Sequence, residues 1–182
     1  MSARWLASVA VVVVAGCGGG GATTTQTCSD GPPCAFDCGP EVDAPPQTQA
    51  AVHIAEPTPI MYDANPPASG PHWPMWQEPW GAYPQGLPRE RWMHNLEHGG
   101  IVLAYNCPDG CDDVVGELTT IMSATPPDRF NLQRFLIVPD ALMPHKVAAL
   151  AWGWRWQSDA VDMNGIRCFI DARYDRATES IP

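Results

Sequence analysis

The chain has few basic residues and lacks a second long apolar run. Its 182 residues include 10 Lys and Arg against 20 Asp and Glu, which gives a formal net charge of −10 with neutral histidines. A surface this acidic cannot neutralise phosphate groups, so we exclude nucleic acid as a partner. Beyond the N-terminal residues no run of apolar residues is long enough to span a bilayer, so we expect no transmembrane helix there.

Several common catalytic motifs are also missing. No serine lies in a Gly-x-Ser-x-Gly elbow, no glycine-rich loop with a lysine opens a helix, and no Cys-x-x-Cys redox pair occurs. The chain has no internal repeat. These absences leave the histidines and cysteines as the residues most able to carry chemistry.

The N-terminus has the pattern of an export signal. One basic residue, Arg4, precedes an apolar run over residues 6–14, and small residues lead up to Cys17. The order Val-Ala-Gly-Cys that ends at Cys17 resembles a lipobox, in which the cysteine is acylated and becomes the first residue of the mature chain. We therefore predict a signal peptide over residues 1–16, a lipid on Cys17 that attaches the protein to a membrane, and a location in the cell envelope outside the cytoplasm. An ordinary signal peptide with an incidental Cys17 is the alternative.

Six cysteines remain after Cys17, and they predict disulfide bonds. They are Cys28, Cys34, Cys38, Cys107, Cys111 and Cys168. An even number of cysteines in an exported chain is typical of a disulfide framework, although the sequence does not fix the pairing. The short spacing of Cys107 and Cys111 favours a loop-closing bridge over a redox centre. A thiolate metal cluster is the alternative interpretation of the six residues.

Composition divides the mature chain into a tether and one domain. Residues 17–50 are rich in Gly, Thr, Cys and Pro, which predicts a flexible segment. Residues 51–182 are sufficient for a single domain. Within it, residues 51–55 suggest a short edge strand, and residues 57–90 combine many prolines with tryptophans. That combination indicates a long, ordered loop, where functional residues often lie.

The apolar patterns after this loop predict an α+β fold with the order βαββα. We expect strands at 101–106, 135–138 and 147–157, and helices at 112–124 and 162–174. The first strand–helix–strand unit requires parallel neighbours with a right-handed crossover, and the next connection is short enough for an antiparallel hairpin. We therefore expect a small mixed sheet with two helices on one face, and a core containing the tryptophans of the third strand on one side of it.

Two of the five histidines form the pattern His-x-x-Glu-His at His94, Glu97 and His98. On a helix this spacing lets both imidazoles bind one ion, with the glutamate as general base, as in the inverted zinc-peptidase pattern. Here Gly99, Gly100 and an apolar strand follow at once, which predicts a single turn or an arch instead of a long helix. A metal-dependent hydrolase with Glu97 as base is therefore kept as an alternative, and an enzyme is not the leading hypothesis.

His72 follows a rigid Pro/Gly turn and provides a third imidazole. Neutral imidazole is the commonest metal ligand, and three histidines are a sufficient protein set for zinc or copper. The predicted metal site consists of His72, His94 and His98, with Glu97 as a fourth ligand or as a hydrogen-bond partner of one of them. His53 and His145 are expected to lie outside this site.

Neighbouring residues leave two questions open. Met75 and Met93 are close in sequence to these histidines, and a thioether ligand would favour copper, especially Cu(I). Ordinary core packing is the preferred interpretation of both methionines. The histidines could instead form a buried hydrogen-bond network with Glu97. In that case the tryptophan-rich loop would make the protein a non-catalytic module that binds another envelope protein.

Four sequence elements resemble those of the domain-of-unknown-function 3105 family. They are Ser69-Gly70-Pro71-His72, Gly81-Ala82-Tyr83, His94-Asn95-Leu96-Glu97-His98-Gly99 and Ala151-Trp152-Gly153. The resemblance extends from about Tyr62 to Tyr174, and the family is one of bacterial exported or membrane-anchored proteins. The resemblance implies that the residues of the predicted site are important to the family, and it does not indicate a reaction. Relatives carry a cysteine just before the Gly-x-Tyr turn, where this chain has Trp80, so any ligand at that position is lost here.

The lipid anchor can be tested directly. Replacing Cys17 with serine removes the thiol that would be acylated, so we expect the protein to leave the membrane fraction or to remain unprocessed. Fractionation followed by intact-mass measurement checks both outcomes. A Cys17→Ser protein that still fractionates with membranes at the mature mass would contradict the prediction.

Overall fold

The computed structural model describes residues 38–46, 48–108, 110–176 and 178–179. The predicted signal peptide, the lipidation site Cys17, and Cys28 and Cys34 lie outside these residues. Within the described part of the chain, no helix has the length and apolar character needed to cross a membrane.

Three helices and a six-stranded mixed sheet make up the described residues, which confirms the predicted α+β class. In chain order the elements are β1 (Val42–Asp43), β2 (Gly81–Ala82), α1 (Arg89–Glu97), β3 (Ile101–Tyr105), α2 (Asp112–Ala124), β4 (Phe135–Pro139), β5 (Val147–Ala151), β6 (Trp154–Ser158) and α3 (Met163–Arg173). Across the sheet the strands follow the order β1-β6-β5-β3-β4-β2.

Strand β3 lies near the middle of the sheet because it is apolar on both faces. All five of its residues are buried. Ile101 and Leu103 share one core cluster with residues of α2 and α3, whereas Val102 and Ala104 share the opposite cluster with α1. The two predicted helices thus cover one face, as expected, and a third helix that the sequence did not predict covers the other.

The connections of the sheet were predicted only in part. β3 and β4 pair in parallel with α2 between them, as expected. The prediction of an antiparallel hairpin between β4 and β5 is wrong, because β5 pairs with β3 on the side opposite β4. All five residues of β5 are buried. A strand that is apolar on both faces is stabilised by an interior position in the sheet, and β5 has one between β3 and β6.

The segment predicted as one strand at 147–157 is a hairpin of β5 and β6. Gly153 adopts φ +75° in the two-residue turn, a conformation that glycine takes without strain. The turn separates the tryptophans, so the prediction that they share one face is wrong. Trp152 packs with the α1 cluster, and Trp154 and Trp156 pack with the α2 and α3 cluster.

Strand β1 lies within the segment predicted to be a flexible tether. Val42 pairs with Trp156 at the edge of the sheet, and the guanidinium of Arg155 donates hydrogen bonds of 2.7 and 2.8 Å to the two carboxylate oxygens of Asp43. Cys38 is joined by a disulfide to Cys168 in α3. The folded domain therefore already includes Cys38, so it begins earlier in the chain than the boundary expected at residue 51.

A second disulfide, between Cys107 and Cys111, closes the turn between β3 and α2. The two bridges differ greatly in the length of chain they enclose, since their cysteines are 130 and 4 residues apart. The loss of conformational freedom in the unfolded chain grows with that length, so the long-range bridge should contribute more stability.

This difference gives a stability prediction. In the chain-entropy model, replacing Cys38 and Cys168 together by alanine should lower the free energy of unfolding by about 5 kcal/mol, against about 2 kcal/mol for the matched double variant of Cys107 and Cys111. Urea unfolding without reductant measures both values. Equal losses in the two variants would contradict the prediction.

Candidate metal site

The His-x-x-Glu-His pattern lies at the C-terminal end of a helix, α1, with His98 as the C-cap residue, and not on the predicted turn or arch. Gly99 ends this helix with φ +82°. Its N–H donates to the carbonyl of Leu96 at 2.9 Å, and the N–H of Gly100 donates to the carbonyl of Asn95 at 3.0 Å. This is the Schellman arrangement, for which a glycine in the left-handed conformation is preferred. Gly99 and Gly100, which led us to predict a turn or an arch, therefore form the motif that ends the helix.

The Pro- and Trp-rich loop is ordered because α1 binds its backbone. The buried side chain of Asn95 donates to the carbonyl of Gln77 at 2.9 Å and accepts from the N–H of Gln77 at 2.8 Å. Nearer the start of the loop, the N–H of Trp73 donates to the carbonyl of Glu90 at 3.0 Å. These bonds place His72, the residue before Trp73, beside the last two turns of the helix.

Four side chains bring potential ligand atoms within 4.8 Å of one another. They belong to His53, His72, His94 and Glu97. His94 and Glu97 come from α1 and His72 from the loop. His53 is placed by an isolated parallel bridge to His72, in which the N–H of Ile54 donates to the carbonyl of His72 at 2.8 Å. His72, His94 and Glu97 are buried, whereas His53 is exposed. This is a histidine-rich group that could hold a metal ion.

Backbone carbonyls fix the proton positions of the two buried histidines. His72 Nδ1 lies 2.9 Å from the carbonyl oxygen of Gly70, and His94 Nδ1 lies 2.9 Å from that of Trp73. A carbonyl oxygen can only accept, so each Nδ1 carries the proton and each Nε2 keeps a lone pair when the ring is neutral. Histidines that bind metals are commonly held in this way by their other nitrogen.

The contact between His72 and Glu97 is the most constrained part of the group. His72 Nε2 lies 3.0 Å from Glu97 Oε2, and both side chains are at least nine-tenths buried. Within the described residues, His72 Nε2 nevertheless makes no hydrogen bond. With the proton on Nδ1, a lone pair faces a carboxylate in a poorly solvated place. A cation between the two atoms would offset this repulsion.

Burial keeps His94 in the neutral form that binds metals. It lowers the pKa of His94 to about 4, against an opposing effect of the Trp73 carbonyl, and the neighbouring His72, His98 and His53 lower the pKa further. The ring is therefore uncharged near neutral pH, with a lone pair available on Nε2.

Three of the four predicted ligands, His72, His94 and Glu97, lie together in this group, and His53 is the fourth member in place of His98. His98 stacks on His94 with ring centroids 4.7 Å apart, and burial lowers its pKa while the backbone of Glu179 opposes the shift. On a helix with 3.6 residues per turn, Glu97 and His98 lie about 60° and 40° to opposite sides of His94. His98 is therefore turned away from Glu97, and it is not one of the four grouped side chains.

The remaining sequence candidates lie elsewhere. Met93 is fully buried in the core cluster beneath α1, which corresponds to the core-packing interpretation, and Met75 is 63% exposed. His145 is outside the group, as expected, and its Nδ1 lies 3.1 Å from Asp159 at the surface. The residues around His53 predicted only a short edge strand. Nothing in the sequence indicated that His53 pairs with His72.

The site and the fold together define an α+β domain with a histidine–carboxylate group held between a capped helix and an ordered loop. The chain belongs to the family described as protein of unknown function, DUF3105, whose model matches residues 53–181. The match confirms the resemblance seen in the sequence, and it spans all four residues of the group. No curated protein and no solved structure matches the chain. The family therefore leaves the chemistry to be argued from the site.

The lowered pKa of His94 predicts a pH dependence in the metal-free protein. In the unfolded chain this ring becomes protonated as the pH falls below 6.5. In the folded chain the same ring stays neutral until the pH falls to about 4. Stability should therefore fall as the pH drops through this window, by at most about 3.4 kcal/mol. Urea unfolding at several pH values, with chelator present, measures the slope.

A matched pair of variants isolates this effect from the carboxylates that titrate in the same range. His94→Gln should flatten the slope between pH 6.5 and 4, and His145→Gln, at a histidine outside the group, should flatten it less. Equal slopes in wild type and His94→Gln would show that His94 is not the source.

Proposed function

We propose that the protein is a metal-binding protein of the cell envelope that holds one zinc or copper ion between His53, His72, His94 and Glu97. The observation that carries this proposal is the orientation of the two buried histidines. Backbone carbonyls accept from both Nδ1 atoms, which leaves two Nε2 lone pairs beside one buried carboxylate. Such an arrangement is costly when empty and is relieved by a cation.

The donor atoms narrow the choice of ion. Three neutral imidazoles and one carboxylate provide nitrogen and oxygen ligands, which suit Zn(II) and Cu(II). Cu(I) prefers sulfur, and Met93, the buried methionine next to His94, packs into the core instead. A divalent ion would leave the group with one net positive charge, in a chain whose net charge is −10.

The number of ligands favours binding over catalysis. Four protein ligands complete the tetrahedral coordination typical of closed zinc sites, whereas catalytic sites keep one position for water or substrate. Glu97 lies against His72 inside the group, so it acts as a ligand and is not free to serve as a general base. These points support a protein that binds or carries a metal more than a hydrolase.

The proposed location combines the sequence with the disulfides. The signal and the lipobox resemblance at Cys17 indicate export and a lipid anchor. The two disulfides, Cys38–Cys168 and Cys107–Cys111, support an oxidising compartment outside the cytoplasm. We therefore place the metal-binding function on a lipid-anchored domain of the envelope.

Elemental analysis of the full chain, purified from the envelope without a histidine tag, tests the function. We expect about one equivalent of zinc or copper per chain. His72→Ala and His94→Ala should each weaken binding by more than about tenfold in competition with a chelator, because each removes a direct ligand. His145→Ala is the matched control and should bind as wild type does.

The opposite result has a clear meaning. If folded wild-type protein takes up neither metal, the histidines and Glu97 form a polar hydrogen-bond network instead. The module that binds an envelope protein partner then becomes the better hypothesis.

A further inference from the structure

The four members of the proposed metal site are not equally accessible. His72, His94 and Glu97 are 1%, 3% and 7% exposed, whereas His53 is an exposed residue. The flanking residues 51 and 52 are exposed as well. Solvent therefore reaches the group on the side of His53.

The opposite side of the group is covered. Trp76 lies against both His94 and His98, with ring centroids 5.4 and 4.8 Å away. Residues near the C-terminus pack over the end of α1, where the N–H of Asp175 donates to the carbonyl of Gly99 at 3.0 Å and the hydroxyl of Thr178 donates to that of Glu97 at 3.3 Å. With these contacts in place, His94 and Glu97 are only 3% and 7% exposed.

The four side chains also differ in how firmly they are held. His72 is fixed by the Gly70 carbonyl and by the ring of Trp152, whose centroid lies 5.8 Å from its own at 89°. His94 and Glu97 belong to a helix packed on the sheet. Within the described residues, no hydrogen bond orients the ring of His53, which only touches the rings of His72 and His94. The imidazole of His53 can therefore turn towards solvent while the backbone bridge to His72 stays in place.

We propose that His53 is an exchangeable ligand and that the site passes its ion on by substitution at this position. The incoming group is a nitrogen or sulfur donor that approaches from solvent. Its lone pair forms a bond to the ion while the bond from His53 breaks. The oxidation state of the ion does not change, and a thiol donor loses its proton to solvent as it binds. This inference rests on the proposed metal binding and assigns the site to transfer of the ion.

Stopped-flow transfer of zinc from the loaded full chain to the chromogenic chelator 4-(2-pyridylazo)resorcinol tests the inference. The transfer rate should rise in proportion to chelator concentration, because the chelator enters before the ion leaves. His53→Ala opens the position to solvent, so it should still bind zinc and should transfer it about tenfold faster or more. His145→Ala should transfer at the wild-type rate.

His98→Ala provides the comparison for the covered side. It removes a ring next to His94 but leaves His53 in place, so it should change the rate less than His53→Ala does. The inference is overturned if the wild-type rate is independent of chelator concentration, or if His98→Ala and not His53→Ala accelerates transfer. In both cases metal binding itself stands. Failure of wild-type protein to bind any zinc or copper would overturn the proposed function and the inference together.

Discussion

The hydrogen bond from His94 to the Trp73 carbonyl joins two of the three parts of the chain that form the site. It links the helix to the loop, and it fixes which nitrogen of His94 faces the other side chains of the group. The backbone N–H of Trp73 also donates a hydrogen bond to the helix, so the backbone of the neighbouring His72 has little conformational freedom. The position and the chemical state of the group are thus set by the same contact.

The order of the loop depends in turn on the face of the sheet that α1 covers. Trp92, Met93 and Leu96 bury one side of the helix against β3 and β5, and this apolar contact leaves the polar side of the helix to bind the loop. The β5–β6 turn adds a second support, since the N–H of Gly153 donates to the carbonyl of Ala68 at 2.7 Å. His72, His94 and Glu97 are held in buried positions by the helix, the loop and the backbone hydrogen bonds between them.

Much of the fold follows from local patterns, and most of the errors came from contacts between distant residues. The apolar stripe of α2 and the two-sided apolar strand β3 were predictable because their own residues determine them. Helix α1 was missed since Gly99 was taken as a break, although a glycine at that point is what a helix end requires. His53 was missed because its place in the group depends on a bridge to His72, 19 residues later, which no periodicity encodes.

The disulfide between Cys38 and Cys168 has a mechanical consequence. A pull transmitted along the N-terminal segment reaches Cys38 before it reaches β1, and the covalent bond carries the load directly to α3. The short pairing of β1 with β6 is therefore shielded from tension, and so is the chain that follows it, including the segment with His53. Tension applied to the chain at Cys38 would therefore leave the geometry of the histidines unchanged.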